Sequence, residues 1–118
     1  MAAGKLNIEI EQGSTFKHRL QLKSGNLPLN LTGFIARMQI RKTVEDALAL
    51  LSLSNVLVGG SGLIITPTTG EIDIQISATD TAKLRIVSGV YDLEIESSAG
   101  EVTRIIQGVV TNSREVTR

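Results

Sequence analysis

The segment from Gly89 to Gln107 limits the fold of this chain more than any other part of the sequence. Apolar and acidic side chains alternate along its first half: Tyr91, Leu93 and Ile95 against Asp92, Glu94 and Glu96. A period of two is typical of a β-strand with one buried face. Ser98-Ala99-Gly100 follows as a three-residue loop, in which Gly100 can adopt the left-handed conformation of a bulged hairpin. The segment therefore predicts two antiparallel strands and an all-β fold.

The length of this loop decides which residues face each other across the hairpin. Three loop residues predict one set of opposed pairs: Ile95–Thr103, Glu94–Arg104, Leu93–Ile105 and Tyr91–Gln107. A two-residue loop would set Ile95 against Arg104 and would mix the apolar and charged faces. We therefore expect the register with separated faces, in which Glu94 lies opposite Arg104.

The same alternation recurs along the rest of the chain. Turn residues separate the alternating runs about every ten positions, a spacing that predicts roughly seven or eight short strands in an antiparallel sandwich or small barrel. One helical signal interrupts the strands at 77–84, where Ser77 or Thr79 can cap a short connecting helix. The run 43–53 is compatible with a helix or a strand, and we favour a turn followed by a strand. We expect one domain spanning 1–118, with 111–118 as a polar tail that leaves it.

Composition excludes several classes of function. Twelve basic and twelve acidic residues cancel, so no global field attracts nucleic acid or an anionic membrane. Aromatic residues are 3% of the chain and Trp is absent, which argues against a stacking platform for single strands. There is no cysteine for a disulfide or a thiolate metal site. Neither a signal peptide nor a membrane span is indicated, so we expect synthesis in the cytoplasm.

Two groups of residues deserve comparison with catalytic sites. His18 is the only histidine and lies between Phe16 and Leu20 on a predicted apolar face, so a half-buried strand residue is the preferred interpretation. The acidic stripe, formed by Asp92, Glu94 and Glu96, has the carboxylate spacing of some glycoside hydrolases and the chemistry of a weak Ca²⁺ site. Because Arg104 lies across the hairpin, a solvated face is preferred here. We therefore expect no enzymatic activity, no catalytic or metal-binding residue, and no cofactor.

Two further patterns have a structural explanation. Gly59-Gly60-Ser61-Gly62 resembles a phosphate loop only in its glycine content, because the lysine and the helix are missing. Half of the basic residues fall on predicted outer faces: Lys17, Arg19, Arg37, Arg41, Lys42 and Arg104. They would form a basic patch if their strands were neighbours, although no aromatic residue is interleaved as nucleic-acid binding would require.

Five short motifs, in this order, resemble a group of small bacteriophage virion proteins that includes the amino-terminal domain of the baseplate upper protein family. The motifs are Gln12–Thr15, Leu31–Arg41, Ile76–Leu84, Tyr91–Glu94 and Gly108–Thr117. Together they extend over nearly the whole chain.

The resemblance implies an immunoglobulin-like β-sandwich that forms part of a phage particle, without enzymatic activity. We expect a tail, baseplate or fibre-attachment adaptor in the virion, in contact with other virion proteins and with copies of itself. We expect neither nucleic acid nor a membrane as a partner. We expect the protein to form a homo-oligomer within an assembly. A capsid decoration protein and a receptor- or carbohydrate-binding module are the alternatives.

Overall fold

The computed structural model describes residues 3–117, and the protein is mostly β, with 53% strand and 4% helix. The strands and the helix that this part of the chain forms are, in order, β1 (Gly4–Lys5), β2 (Ile8–Glu11), β3 (Phe16–Gln21), β4 (Lys23–Ser24), β5 (Leu27–Pro28), β6 (Ile35–Arg41), β7 (Leu51–Ser54), β8 (Gly62–Thr66), β9 (Glu71–Ile76), α1 (Ala78–Ala82), β10 (Ser88–Glu96) and β11 (Val102–Ser113). Apart from three two-residue strands, this agrees with the predicted seven or eight.

Two sheets form a sandwich. The larger sheet has the order β1–β11–β10–β6–β7, and β2 joins it by pairing in parallel with the end of β11. The smaller sheet has the order β3–β9–β8, and β4 and β5 form a separate short hairpin. The smaller sheet corresponds to strands B, E and D of an immunoglobulin domain, and β6, β10 and β11 correspond to C, F and G. The predicted all-β sandwich is therefore confirmed, although β1 and β2 pair with β11 in parallel and not in the expected antiparallel sense.

The core lies between the inner faces of the two sheets. The alternating pattern of each strand turns its aliphatic residues inward, so that most of the buried side chains are Ile, Leu, Val or Met. The fully buried members of largest volume are Ile10, Leu31, Met38, Ile40, Leu63, Ile72, Ile74, Ile76, Leu93 and Val110. A continuous aliphatic core of this kind leaves the charged side chains on two outer faces.

The final hairpin has the predicted loop and most of the predicted register. Gly100 has a φ of 87°, Ile95 faces Thr103, and Glu94 faces Arg104. The two pairs nearer Gly89 are shifted by one residue, because a β-bulge opposite Leu93/Glu94 leaves Leu93 facing Ile106 instead of Ile105 and Tyr91 facing Gly108 instead of Gln107. The bulge brings both Ile105 and Ile106 against the core, and this gain in buried apolar surface explains the shift.

Two other predictions have clear outcomes. The run 43–53 is a series of bends followed by β7, as we favoured, and the helix at 77–84 is present as Ala78–Ala82. Ser77 is its N-cap, since the Ser77 side chain accepts a hydrogen bond from the Asp80 amide at 3.2 Å. Thr79 is not the cap.

The prediction that 111–118 is a tail outside the domain is wrong for its first part. Strand β11 continues to Ser113 and pairs with β2, and Asn112 is buried. The Asn112 amide nitrogen donates to the carbonyls of Leu84 at 2.9 Å and Ile86 at 3.0 Å, so the polar side chain has partners inside the protein. Residue 118 lies outside the described range.

The single helix of the described residues is α1, and within this range no helix is long and apolar enough to cross a membrane.

Candidate interaction surfaces

A network of buried polar groups closes one end of the sandwich around α1. Thr81 is fully buried, and its hydroxyl donates to the Ser14 carbonyl at 2.8 Å and accepts from the Gly13 amide at 3.0 Å. Gln12 donates to the carbonyls of Ala82 and Leu84, and its own side-chain oxygen accepts from the Glu115 amide at 3.1 Å. These contacts fix the turn between β2 and β3 against the helix.

Three of the five motifs that carry the resemblance to phage virion proteins meet in this network. Gln12–Thr15, Ile76–Leu84 and Gly108–Thr117 are far apart in the sequence, yet side chains of each segment bond to backbone groups of another. Their polar residues satisfy backbone groups of neighbouring segments. These motifs therefore have a role in the fold.

The acidic stripe lies on the outer face of the larger sheet and is paired with arginines. Arg37 contacts both Glu94 at 3.1 Å and Glu96 at 3.0 Å, and Arg104 contacts Asp92 at 3.3 Å. The register places Arg104 opposite Glu94, but the ion pair forms diagonally with Asp92. Each of the three carboxylates therefore lies beside a guanidinium, and the stripe is a surface of paired charges.

The six outer basic residues do not form one patch. Lys17 and Arg19 lie on β3 in the smaller sheet, whereas Arg37, Arg41 and Arg104 lie on the outer face of the larger sheet. Arg19 is also paired, since its guanidinium bonds to Asp73 at 2.8 Å. This hydrogen bond lowers the pKa of the Asp73 carboxyl below its ordinary value. The condition for a basic patch, neighbouring strands, is therefore not met.

His18 and the glycine-rich segment have structural positions. His18 is half-buried on β3 and faces Ile74 across the ladder. Gly59 and Gly60 have φ angles of 60° and 85° and turn the chain so that Val58 and Ser61 form a β-bridge. This is a tight hairpin turn, and the Ser61 hydroxyl bonds to Ser77 and Asp80 near the start of α1.

The surface of the described residues includes a groove and a crevice. A broad groove of about 740 Å³ lies on the outer face of the larger sheet, with Val90 and Val109 among the paired charges Arg104 and Asp92. A smaller crevice of about 220 Å³ lies at the hairpin end of the sandwich, lined mainly by apolar residues such as Leu29, Phe34 and Ile105. Within residues 3–117 no cluster of three or more His, Cys, Asp or Glu side chains is suited to a metal ion.

The two lateral sides of the sandwich differ in charge. The charged side is formed by the edge strands β2 and β3, which carry Glu9 and Glu11, and Lys17 and Arg19, respectively. The neutral side is formed by the edge strands β7 and β8 and the segments that flank β7. No charged residue occurs between Asp46 and Glu71, a stretch that contains both of these edges.

The neutral side also exposes apolar side chains. Six of the thirteen large apolar residues exposed within the described range lie in this uncharged stretch: Leu48, Leu50, Val56, Leu57, Val58 and Ile64. Strands β7 and β8 are adjacent, because a Cβ atom on Gly62 would lie 3.0 Å from the Ser54 carbonyl oxygen. The sequence analysis missed this surface, although the uncharged stretch is a signal that could have indicated it.

No protein-family model matches the chain, and a search of curated proteins found no similar sequence.

Proposed function

We propose that this protein is a non-enzymatic structural component of a bacteriophage particle, an adaptor of the tail, baseplate or fibre attachment that acts through protein–protein contacts. The observation that carries the proposal is the neutral side. Natural proteins protect free strand edges with charges or proline, and an uncharged edge flanked by exposed Leu and Val is a site for pairing with another chain. A protein built to work in an assembly has such a surface covered by its neighbours.

The resemblance to small phage virion proteins supplies the kind of assembly. The chemistry of the outer faces supports a binding role over a hydrolytic one, because the carboxylates that resemble a hydrolase pair are held by Arg37 and Arg104. A hydrolase needs one carboxyl group kept protonated beside an ionised one. Glu94 and Glu96 instead share the Arg37 guanidinium as ion-pair partners.

The test is the location of the chain in particles produced by the phage whose genome encodes it. Gold-labelled antibody against the purified protein should bind intact particles at the tail or baseplate. Label on the capsid would instead support the alternative that the protein is a capsid decoration protein. Particles that bind no label and lack peptides of this chain by mass spectrometry would overturn the proposal.

A matched pair of genomic variants tests the surface. Leu50→Lys/Val56→Lys places two charges on the neutral side, and Gln21→Lys/Thr68→Lys places the same two charges elsewhere on exposed positions. Burial of an unpaired charge at an interface costs several kcal/mol, so the first variant should reduce incorporation by about tenfold or more. The second should leave incorporation unchanged. Equal incorporation of both would exclude the neutral side as the contact.

A further inference from the structure

The crevice at the hairpin end of the sandwich combines an apolar lining with an acidic group. Leu29, Phe34 and Ile105 are among its lining residues, and its volume of about 220 Å³ leaves room for an aliphatic side chain from outside. Glu101 lines the same crevice, is exposed, and forms no salt bridge with another residue of the range 3–117. Hydrogen bonds between Ser97 and the backbone of Glu101 fix its place there.

The segment 114–117 carries groups of the complementary kind. Val116 has an exposed fraction of 92%, the highest among the large apolar residues exposed within the described range. Arg114 is exposed as well and has no salt bridge to any residue that the structure describes. Between them, the Glu115 amide donates to the Gln12 side chain at 3.1 Å, and the Glu115 carboxylate lies beside Gly13. The segment is therefore held against the turn between β2 and β3.

The crevice and the segment 114–117 lie at opposite ends of the protein. Strand β11 begins at Val102, next to Glu101, and ends at Ser113, next to Arg114. Its twelve residues extend over about 37 Å, which is most of the longest dimension of the protein, 43 Å. A copy that uses one of these ends in a contact therefore has the other end free.

We propose that copies of this protein associate head to tail, with Val116 of one copy in the crevice of the next and Arg114 beside Glu101. The inference rests on the proposed function, since it names a contact by which the protein would assemble. Transfer of the Val116 side chain from water to an apolar surface is favourable. The Arg114 guanidinium gains a charge-assisted hydrogen bond to a carboxylate. Because Glu115 already holds the segment in place, little conformational freedom is lost on binding.

Charge favours this contact over a symmetric one and sets its direction. Contact between two copies of the segment 114–117 would bring Arg114 near Arg114, and like charges across an interface are unfavourable. Lys23 also lines the crevice, so Arg114 is attracted by Glu101 and repelled by Lys23. The two ends of one chain are therefore complementary to each other and not to themselves.

A contact that uses a different surface on each copy does not stop at a dimer. It repeats, and it gives a ring if the rotation between copies closes or an open filament if it does not. One short segment in one crevice buries less than about 1,200 Å², the range of weak association. The isolated protein should therefore form a series of oligomers, with the average mass rising between roughly 10 μM and roughly 1 mM.

Sedimentation equilibrium of two single variants tests the role of Val116. Val116→Lys places a charge against the apolar lining of the crevice and should weaken association by about tenfold or more. Val44→Lys is the matched control, because Val44 has an exposed fraction of 76% and the substitution adds the same charge outside the contact. It should leave association unchanged.

A charge exchange tests the ion pair between copies. Arg114→Glu and Glu101→Lys each bring like charges together, so each alone should weaken association. The double variant Arg114→Glu/Glu101→Lys restores opposite charges and should recover association at low salt, with the recovery lost as salt is raised.

A mixture of two variants tests the direction of the contact. Val116→Lys keeps an intact crevice, and Glu101→Lys keeps an intact segment 114–117. An equimolar mixture should therefore form dimers with one copy of each variant and no larger species.

Three results would overturn the inference. They are a wild-type protein that stays monomeric to roughly 1 mM or stops at a dimer, a double variant that associates no better than its single parents, and equal effects of Val116→Lys and Val44→Lys. None of them affects the location of the chain in particles, so failure of this contact is distinguishable from failure of the proposed function.

Discussion

Both sides of the sandwich end in free strand edges, but the edge strands of the charged side carry charged residues and those of the neutral side carry none. On the charged side, the edges β2 and β3 carry acidic and basic residues, and the turn between them is bonded to α1. On the neutral side, the edges β7 and β8 carry no charge, and the adjoining segments expose Leu and Val. Since charges oppose pairing with another chain, the comparison indicates which side is protected and which side is available.

The charged side is held by buried aliphatic residues and by hydrogen bonds to α1. Its amino-terminal edge contributes Ile8 and Ile10 to the core, and its turn is fixed by Thr81 and Gln12. The neutral side contributes few buried residues in its connecting segments, so substitutions there leave the core intact. The two sides should therefore differ in what a mutation changes: stability on one, association on the other.

The largest expected change in the free energy of unfolding comes from the charged side, and a matched substitution on the neutral side should have almost no effect. Ile10→Ala removes a fully buried side chain from the charged side and should lower the free energy of unfolding by about 3–4 kcal/mol, through lost burial and the cavity left behind. Leu48→Ala removes an exposed side chain from the neutral side and should change it by less than about 0.5 kcal/mol. Urea denaturation followed by circular dichroism at low protein concentration measures both.

If Leu48→Ala proved as destabilising as Ile10→Ala, the segment before β7 would belong to the core, and the neutral side would not be an open surface.

An intermediate effect tests what holds the charged side. Thr81→Val keeps the shape of the side chain but removes its hydroxyl, leaving the Gly13 amide and the Ser14 carbonyl without this partner. The free energy of unfolding should fall by about 2 kcal/mol, the cost of unsatisfied buried polar groups. Thr79→Val on the same helix is the matched control, because Thr79 is exposed. Equal stability of the two variants would show that the network around α1 is not needed to fix the turn.

Local patterns predicted most of the fold. Alternation identified the long strands, and the loop at Ser98–Gly100 gave the register next to it, because both depend on neighbours in the sequence. The bulge beyond Leu93 was not predictable, since it depends on whether Ile105 and Ile106 both find room in a core formed by distant strands. The prediction of a tail was wrong for residues 111–113 for a related reason. Their polarity suggested a tail, and only the carbonyls of Leu84 and Ile86 show why Asn112 is buried.

The candidate surface was less predictable than the fold. A sequence shows that charges are missing between Asp46 and Glu71, but not that this stretch contains two free edges on one side of a sandwich. The pairing of the acidic stripe with arginine was predicted in part. Arg104 was expected to balance it, whereas the contribution of Arg37 depends on β6 lying next to β10.

The smallest effect concerns the attachment of the amino-terminal edge on the charged side. The Tyr91 hydroxyl is buried and donates to the Leu6 carbonyl at 2.6 Å, between β1 and β2. Burial raises the pKa of Tyr91 to about 12 from 10.0. A group whose pKa is raised by folding contributes stability that is complete below its unfolded pKa and disappears as the pH rises through its folded pKa. The protein should therefore lose stability between pH 10 and pH 12.

Tyr91→Phe should cost about 1 kcal/mol at neutral pH, through the lost hydrogen bond, and should abolish this part of the alkaline loss. Denaturation of both proteins as a function of pH measures the difference, which should narrow as the pH rises. Because the hydroxyl holds Leu6, amides of β1 should exchange faster in the variant while those of β7 stay unchanged. Faster exchange at β7 as well would mean that the two sides are coupled, and that the charged side is not held independently of the neutral one.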